Sequence, residues 1–317
     1  MKRKIYCCFC FFNELELLKL KLEELWDTVD YFVISESDVT HSGISKPPYF
    51  FENKDKFEKY KDKIIYQAVR DTPNDFINLK VDPKKDDATN LVIQRVIDGD
   101  WWDHSVQSYG RDTFQKESLI RPLITSNCQD DDLVILGDLD EIPKASIIKQ
   151  IAEDFDDDEI FHLQHKFCWY YLDIEKSNEV WYGNIVTSFK RFKEQSFCEM
   201  RTRKAGNFVD NAGWHFSYTH GADAIKTKIE SFGEQSLNTP QIKDNIANNI
   251  ENCLTSGHDL YNRPARFEVI PIDYETMPKY LVDHQDEFRH MIKGAIDRKS
   301  TRLNSSHIQK SRMPSSA

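Results

Sequence analysis

Apolar runs alternate with amphipathic stretches over the first half of the chain. Residues 4–12 are almost wholly apolar and predict a buried strand. Asn13 with Glu16 three residues on forms an approximate capping box. Leu15, Leu18, Leu22 and Leu25 then recur at helical spacing, with Glu16, Lys19, Glu23 and Glu24 on other faces. Residues 31–35 predict a second strand. Strand, helix and strand in so short a stretch make a βαβ unit, and its strands are therefore parallel. A helix over 55–61 and a strand over 63–69 extend it into the opening half of a doubly wound sheet. Residues 70–110 read as polar and irregular, around Trp101-Trp102, and 111–127 as a helix. After it, Leu133-Val134-Ile135-Leu136 predicts a fourth buried strand, and a helix begins at Lys144. Strands follow over 160–171, 180–191 and 206–218. Helices return over 222–232, 241–255 and 277–292. The expected fold class is α/β, with a mostly parallel central sheet flanked by helices.

The fourth strand runs directly into Gly137-Asp138-Leu139-Asp140-Glu141-Ile142-Pro143. Open α/β sheets bind ligands at the carboxyl ends of their strands. Carboxylates there are costly unless they hold a cation or a proton. An Asp-x-Asp pair offers hard oxygen ligands near one point, which suits Mg²⁺ or Mn²⁺ sharing its other positions with water and substrate phosphates. The alternative is a solvated acidic turn that caps the next helix.

Residues 297–317 read as the in-frame translation of a sequencing adapter, so a single domain over 1–296 is expected, its C-terminal part from about 222 helical. That tail carries five Lys/Arg and one Asp, so the formal charge of −11 becomes −15 without it. So acidic a chain is a poor binder of nucleic-acid phosphates, and it meets an anionic ligand through local cations or a metal. No apolar run reaches the roughly 20 residues of a membrane-spanning helix. The seven cysteines are odd in number. Cys7, Cys8 and Cys10 crowd one strand, a pattern of reduced thiols, and a cytoplasmic location is expected. The acidic run over 153–159 lacks the spaced ligands and central glycine of a calcium loop. No Gly-x-Gly-x-x-Gly or Walker lysine motif is present.

Other residues point to donor and acceptor chemistry. Glu36 ends the second strand, where an acid hydrogen-bonds a ribose or a base, and Lys46 in the next loop is placed to face a diphosphate. Arg111, Lys116 and Arg121 precede the acidic strand, and leaving-group charge needs such cations. Trp169, Tyr170 and Trp181 make a candidate platform for the apolar face of an acceptor sugar. His215 is a candidate third metal ligand beside Asp138 and Asp140. Asp210 and Glu141 are the candidate general bases.

The acidic segment 137–143, together with Ala212-Gly213-Trp214-His215-Phe216-Ser217, resembles glycosyltransferase family 17, the β-1,4-mannosyl-glycoprotein β-1,4-N-acetylglucosaminyltransferase family. Phe12-Asn13-Glu14-Leu15, Glu36, Thr40-His41-Ser42-Gly43 and Pro278-Lys279-Tyr280-Leu281 belong to the same likeness, which spans nearly all of residues 1–296. The resemblance implies a GT-A-like fold, a UDP-sugar donor (UDP-N-acetylglucosamine in the animal enzyme), a carbohydrate acceptor and inversion at the anomeric carbon. It implies that Asp140 holds Mn²⁺ (or Mg²⁺), with Asp138 on the metal or the ribose. The family's Gln-Arg-Asn is replaced by Gln115-Lys116-Glu117, which keeps the cation and loses its fork. A histidine common after the Gly-Trp-His motif is absent from Phe232-Gly233-Glu234, so acceptor specificity does not carry over. Two rival functions share some of these features: a phosphohydrolase of the haloacid dehalogenase type, and a non-catalytic carbohydrate-binding protein.

Overall fold

The computed structural model describes residues 3–294; the adapter-like segment 297–317 lies outside them. The first half builds β1 (Ile5–Phe11), α1 (Leu15–Leu25), β2 (Tyr31–Ser37), α2 (Tyr49–Asn53) and β3 (Ile64–Val69). Three helices follow: α3 (Asp87–Asp98), α4 (Gln107–Glu117) and α5 (Ile120–Thr125). Next come β4 (Leu133–Asp138), β5 (Glu141–Pro143), α6 (Ala145–Glu153), β6 (Ile160–Trp169), β7 (Ile174–Lys176) and β8 (Trp181–Ser188). The remainder is α7 (Phe189–Glu194), α8 (Phe197–Arg203), β9 (Asn207–Ser217), α9 (Gly221–Ser231), α10 (Pro240–Lys243), α11 (Ile246–Ser256), β10 (Phe267–Val269) and α12 (Lys279–Asp283).

The ten strands among the described residues join one sheet, with the path β10-β7-β6-β8-β4-β1-β2-β3 and with β9 on β6 and β5. The expected parallel half is present: β4-β1-β2-β3 are parallel neighbours, with Cys10 opposite Asp138. The sheet as a whole is mixed rather than mostly parallel. β8 runs antiparallel to both β4 and β6, and β7, β10 and β5 are antiparallel to their partners. The reason is connection length: β6, β7 and β8 follow one another too closely for helical crossovers, so β6 takes both β7 and β8 as antiparallel partners.

Strand alternation sorts β1 to the two faces of the sheet. Cys7, Phe9 and Phe11 pack with Leu18, Leu22 and Leu25 of α1, while Tyr6 and Cys8 pack with α3 to α5 through Val92, Phe114 and Leu123. Burying each large apolar side chain contributes roughly 1.5–3 kcal/mol, so the two layers hold the strand ends rigidly.

Several local expectations change. The stretch taken as irregular contains α3, capped by Asp86, whose carboxylate accepts the Thr89 N–H at 2.8 Å. The helix expected over 111–127 breaks at Ser118-Leu119, because Pro122 has no N–H to continue the ladder. The strand expected over 180–191 stops at Ser188, whose hydroxyl caps α7 at the Arg191 N–H. The helix expected over 241–255 divides at Asp244-Asn245, where Asn245 has φ +63°. Only a short helix, α12, stands within 277–292 besides a 3-10 turn. Among the described residues no helix is long and apolar enough to cross a membrane.

Candidate active site

A cleft of about 600 Å³ opens where β1, β2 and β4 end, roofed by α4, α8 and α9. Its floor is the acidic turn. Lys21, on the apolar face of α1 and sealed from solvent, donates to the Asp138 carbonyl (2.8 Å), the Glu141 carbonyl (2.9 Å) and the Leu139 carbonyl (3.4 Å). A buried ammonium is costly unless its protons are all used, and here three main-chain oxygens of the turn use them. Burial still pulls the Lys21 pKa below its ordinary value, against the carboxylates that raise it.

Asp138 and Asp140 both face the cleft, each beside protein cations. Asp138 pairs with Arg201 at 3.1 Å and with Lys116 at 3.9 Å, and Lys116 also holds Asp112 at 2.9 Å. Asp140 is more than nine-tenths buried; Lys228 is 2.7 Å and His215 Nε2 3.5 Å from its Oδ2. Burial opposes ionisation there, yet Lys228 and His215 outweigh it and hold the carboxyl well below its usual range. Lys116, Lys228 and Arg201 are each pushed up by their acidic neighbours, against burial. These charges are therefore fixed at neutral pH. The antiparallel pair β5-β9 creates the second cluster by setting Glu141 opposite His215.

The sequence-derived residues separate clearly. Lys46, Lys116, Asp138, Asp140, Trp169, Trp181 and His215 all line the cleft. Glu36 does not: it is buried, accepting the Phe50 N–H (3.0 Å) and the Tyr66 hydroxyl (2.9 Å), with Lys46 at 3.5 Å. Tyr170 lies in the aromatic core, and its oxygen accepts the Leu260 N–H at 2.9 Å. Asp210 is exposed on β9 and is not part of the cleft wall. Glu141 is fully buried beneath the site, where it clamps Arg201 through both oxygens and accepts the Trp181 indole N–H and the Asp138 N–H, each at 2.9 Å. With every lone-pair direction used, Glu141 orders the site and has no lone pair left for a substrate proton.

The aromatic wall is continuous. The His215 ring stacks on Phe167 at 4.8 Å and packs against Trp181 at 4.5 Å. Trp169 has an indole N–H without a protein partner. Arg263 and Tyr261 complete that rim, with the Arg263 guanidinium 5.6 Å from the Trp169 ring.

Sequence reading missed Lys21, Asp112, Arg201 and Lys228. Lys21 was detectable, since it falls on the stripe formed by Leu17, Leu18 and Leu25. The other three lie on helix surfaces among other charged residues and carried no distinguishing pattern.

Among the described residues no three metal-binding side chains form a closed cluster. Asp140 and His215 nevertheless converge on one point of the wall, with Asp138 on the same turn. Mg²⁺ and Mn²⁺ suit such a partial set, because substrate phosphates and water complete their shell. The donor set therefore fits a divalent cation bound together with a diphosphate.

The strand-end cleft, with its acidic floor, fixed cations and aromatic wall, is the candidate site. The family is definite: the chain belongs to glycosyltransferase family 17, whose profile matches residues 1–91 and 84–299. It is 22% identical over 320 residues to the rat β-1,4-mannosyl-glycoprotein 4-β-N-acetylglucosaminyltransferase, covering 89% of this chain and 53% of that protein. The human protein of the same name is 20% identical over 318 residues, covering 88% and 53%. The chain thus spans about half the length of the curated relatives it matches.

Proposed function

We propose that this chain transfers N-acetylglucosamine from UDP-N-acetylglucosamine to a carbohydrate hydroxyl, with inversion and with a divalent cation, on a GT-A-like fold. The observation that carries the reading is the Asp138/Asp140 turn facing Lys116, Arg201 and Lys228 across one cleft. The relatives' names, which specify N-acetylglucosaminyl transfer, support the donor.

Asp140 and His215 would hold the cation, with Asp138 beside them. The cation, Mn²⁺ or Mg²⁺, supplies charge neutralisation for the departing nucleoside diphosphate. Lys116 and Arg201, fixed by Asp112, Asp138 and Glu141, add preorganised positive charge on the same side. Trp169 and Trp181, which line the cleft, would hold the acceptor sugar against the aromatic wall. Inversion requires a base on the face opposite the leaving group. Glu179, which holds Lys176 at 2.7 Å, and Glu234, which accepts the Tyr109 and Ser236 hydroxyls, line the cleft, and either would take the acceptor's proton in exchange for such a contact.

The test is transfer and hydrolysis across a panel of nucleotide sugars, with and without Mn²⁺. UDP-N-acetylglucosamine turnover that requires the metal is expected. Turnover unaffected by chelation, or no turnover with any UDP-sugar, would sink the reading.

A further inference from the structure

Lys228 stands between two cavities. It lines the substrate cleft, and with Glu14 and Tyr218 it also lines a smaller cavity of about 90 Å³. Its ammonium is 2.7 Å from Asp140 Oδ2 and 3.8 Å from Glu14 Oε1. The lysine therefore has one carboxylate in hand and a second within a small rotation of its flexible stem. Glu14 is set up to receive it: Oε2 accepts the Asn13 N–H at 3.2 Å, which fixes the carboxylate and leaves Oε1 directed to Lys228.

A divalent cation held by Asp140 Oδ2 and His215 would stand against the Lys228 ammonium already on that oxygen. Mg²⁺-type ions bind carboxylate oxygens at about 2.0–2.1 Å, and an ammonium held on the same oxygen would be in strong repulsion with the ion. Losing Lys228 into solvent would leave Glu14 unpaired. Moving it onto Glu14 keeps both carboxylates compensated.

We propose that Lys228 is the resident counter-ion of Asp140 in the donor-free protein, and that the incoming divalent cation displaces it onto Glu14. This rests on the metal-dependent reading above. Its consequence is that the protein alone holds the cation weakly. Tight binding waits for the nucleotide, whose diphosphate supplies the missing ligands.

The experiment is a titration of Mn²⁺ into the full chain without nucleotide, following free Mn²⁺ by electron paramagnetic resonance. Lys228→Met, Lys228→Gln, Glu14→Gln and the Glu14→Gln/Lys228→Met double variant are compared with the parent, with circular dichroism confirming that each is folded. Lys228→Met and Lys228→Gln are each expected to bind Mn²⁺ up to about fivefold more tightly, the upper size of a solvent-accessible ion pair. Glu14→Gln removes the receiving carboxylate and is expected to bind severalfold more weakly. In the double variant the Glu14 change should have no further effect. Binding no tighter in either Lys228 variant, or no weaker in Glu14→Gln, overturns the proposal alone. No Mn²⁺ binding by any variant, even with saturating UDP, overturns the metal reading and this proposal with it.

Discussion

The Lys21 ammonium donates to the main-chain carbonyl of Asp138 at 2.8 Å, across 117 residues of sequence. One buried charge on the first helix thereby shapes the turn that presents both cleft aspartates. Replacing Lys21 by Met removes a costly buried cation but leaves carbonyls of the turn without a donor, each worth about 1–3 kcal/mol. These effects offset in the fold but not in the site. Lys21→Met is expected to cost less stability than activity, lowering sugar transfer more than tenfold, on the scale of one such hydrogen bond. Urea unfolding together with kcat checks it, and parent-like turnover in a folded variant would contradict it.

Asp210 and Glu141 predict opposite behaviour. Asp210→Ala, on an exposed part of β9, is expected to leave transfer within about twofold of the parent, as surface changes do. Glu141→Gln leaves Arg201 without its buried partner and is expected to cost roughly 3–5 kcal/mol of stability, as broken buried pairs do. Side-by-side thermal unfolding and transfer assays separate the two. A strong loss of activity in a stable Asp210→Ala would return that residue to the catalytic candidates.

The aromatic wall predicts a KM effect. Trp169→Leu removes an aromatic face that lines the cleft, so the acceptor KM should rise by about three- to tenfold, the worth of one aromatic contact. The donor KM should stay unchanged. A rise confined to the donor KM would move Trp169 out of the acceptor subsite.

His165 predicts how acid acts on the fold. It is buried, neither ring nitrogen has a protein partner, and burial followed by the nearby His215, Lys21 and Arg201 charges holds its pKa well below the ordinary 6.5. The unfolded chain then takes up a proton near pH 6.5 that the folded chain refuses. Stability contributed by the neutral ring is complete above pH 6.5 and falls below it, by up to about 1.4 kcal/mol per pH unit. His165→Phe should flatten the melting temperature between pH 6.5 and 5. An unchanged slope would show that other groups set it.

Sequence reading placed the acidic turn because local signals coincide there: a short apolar run, a glycine, then three carboxylates. It likewise placed β1, α1, β2 and β3, whose periodicities are strong and whose contacts are mostly between neighbours in the chain. It missed α3, although Val92, Ile93 and Val96 fall at helical spacing behind the Asp86 cap, because the surrounding stretch is polar. It also treated Tyr170 and Trp169 alike, although adjacent residues of such a segment need not face the same way, and only Trp169 reaches the cleft.

By itself the sequence determined the elements of the parallel half, the strand end that carries the aspartates, and the aromatic residues from which a wall is built. Only the tertiary structure decided which cations those aspartates meet. Arg201 reaches Glu141 across 60 residues and Lys228 reaches Asp140 across 88. The physical reason is that hydrophobic periodicity is a local property of the chain, whereas an ion pair depends on where two distant surfaces come to rest once the mixed sheet has formed. The same closure buries Glu141 and leaves Asp210 in solvent, a distinction that no spacing of carboxylates along the chain contains.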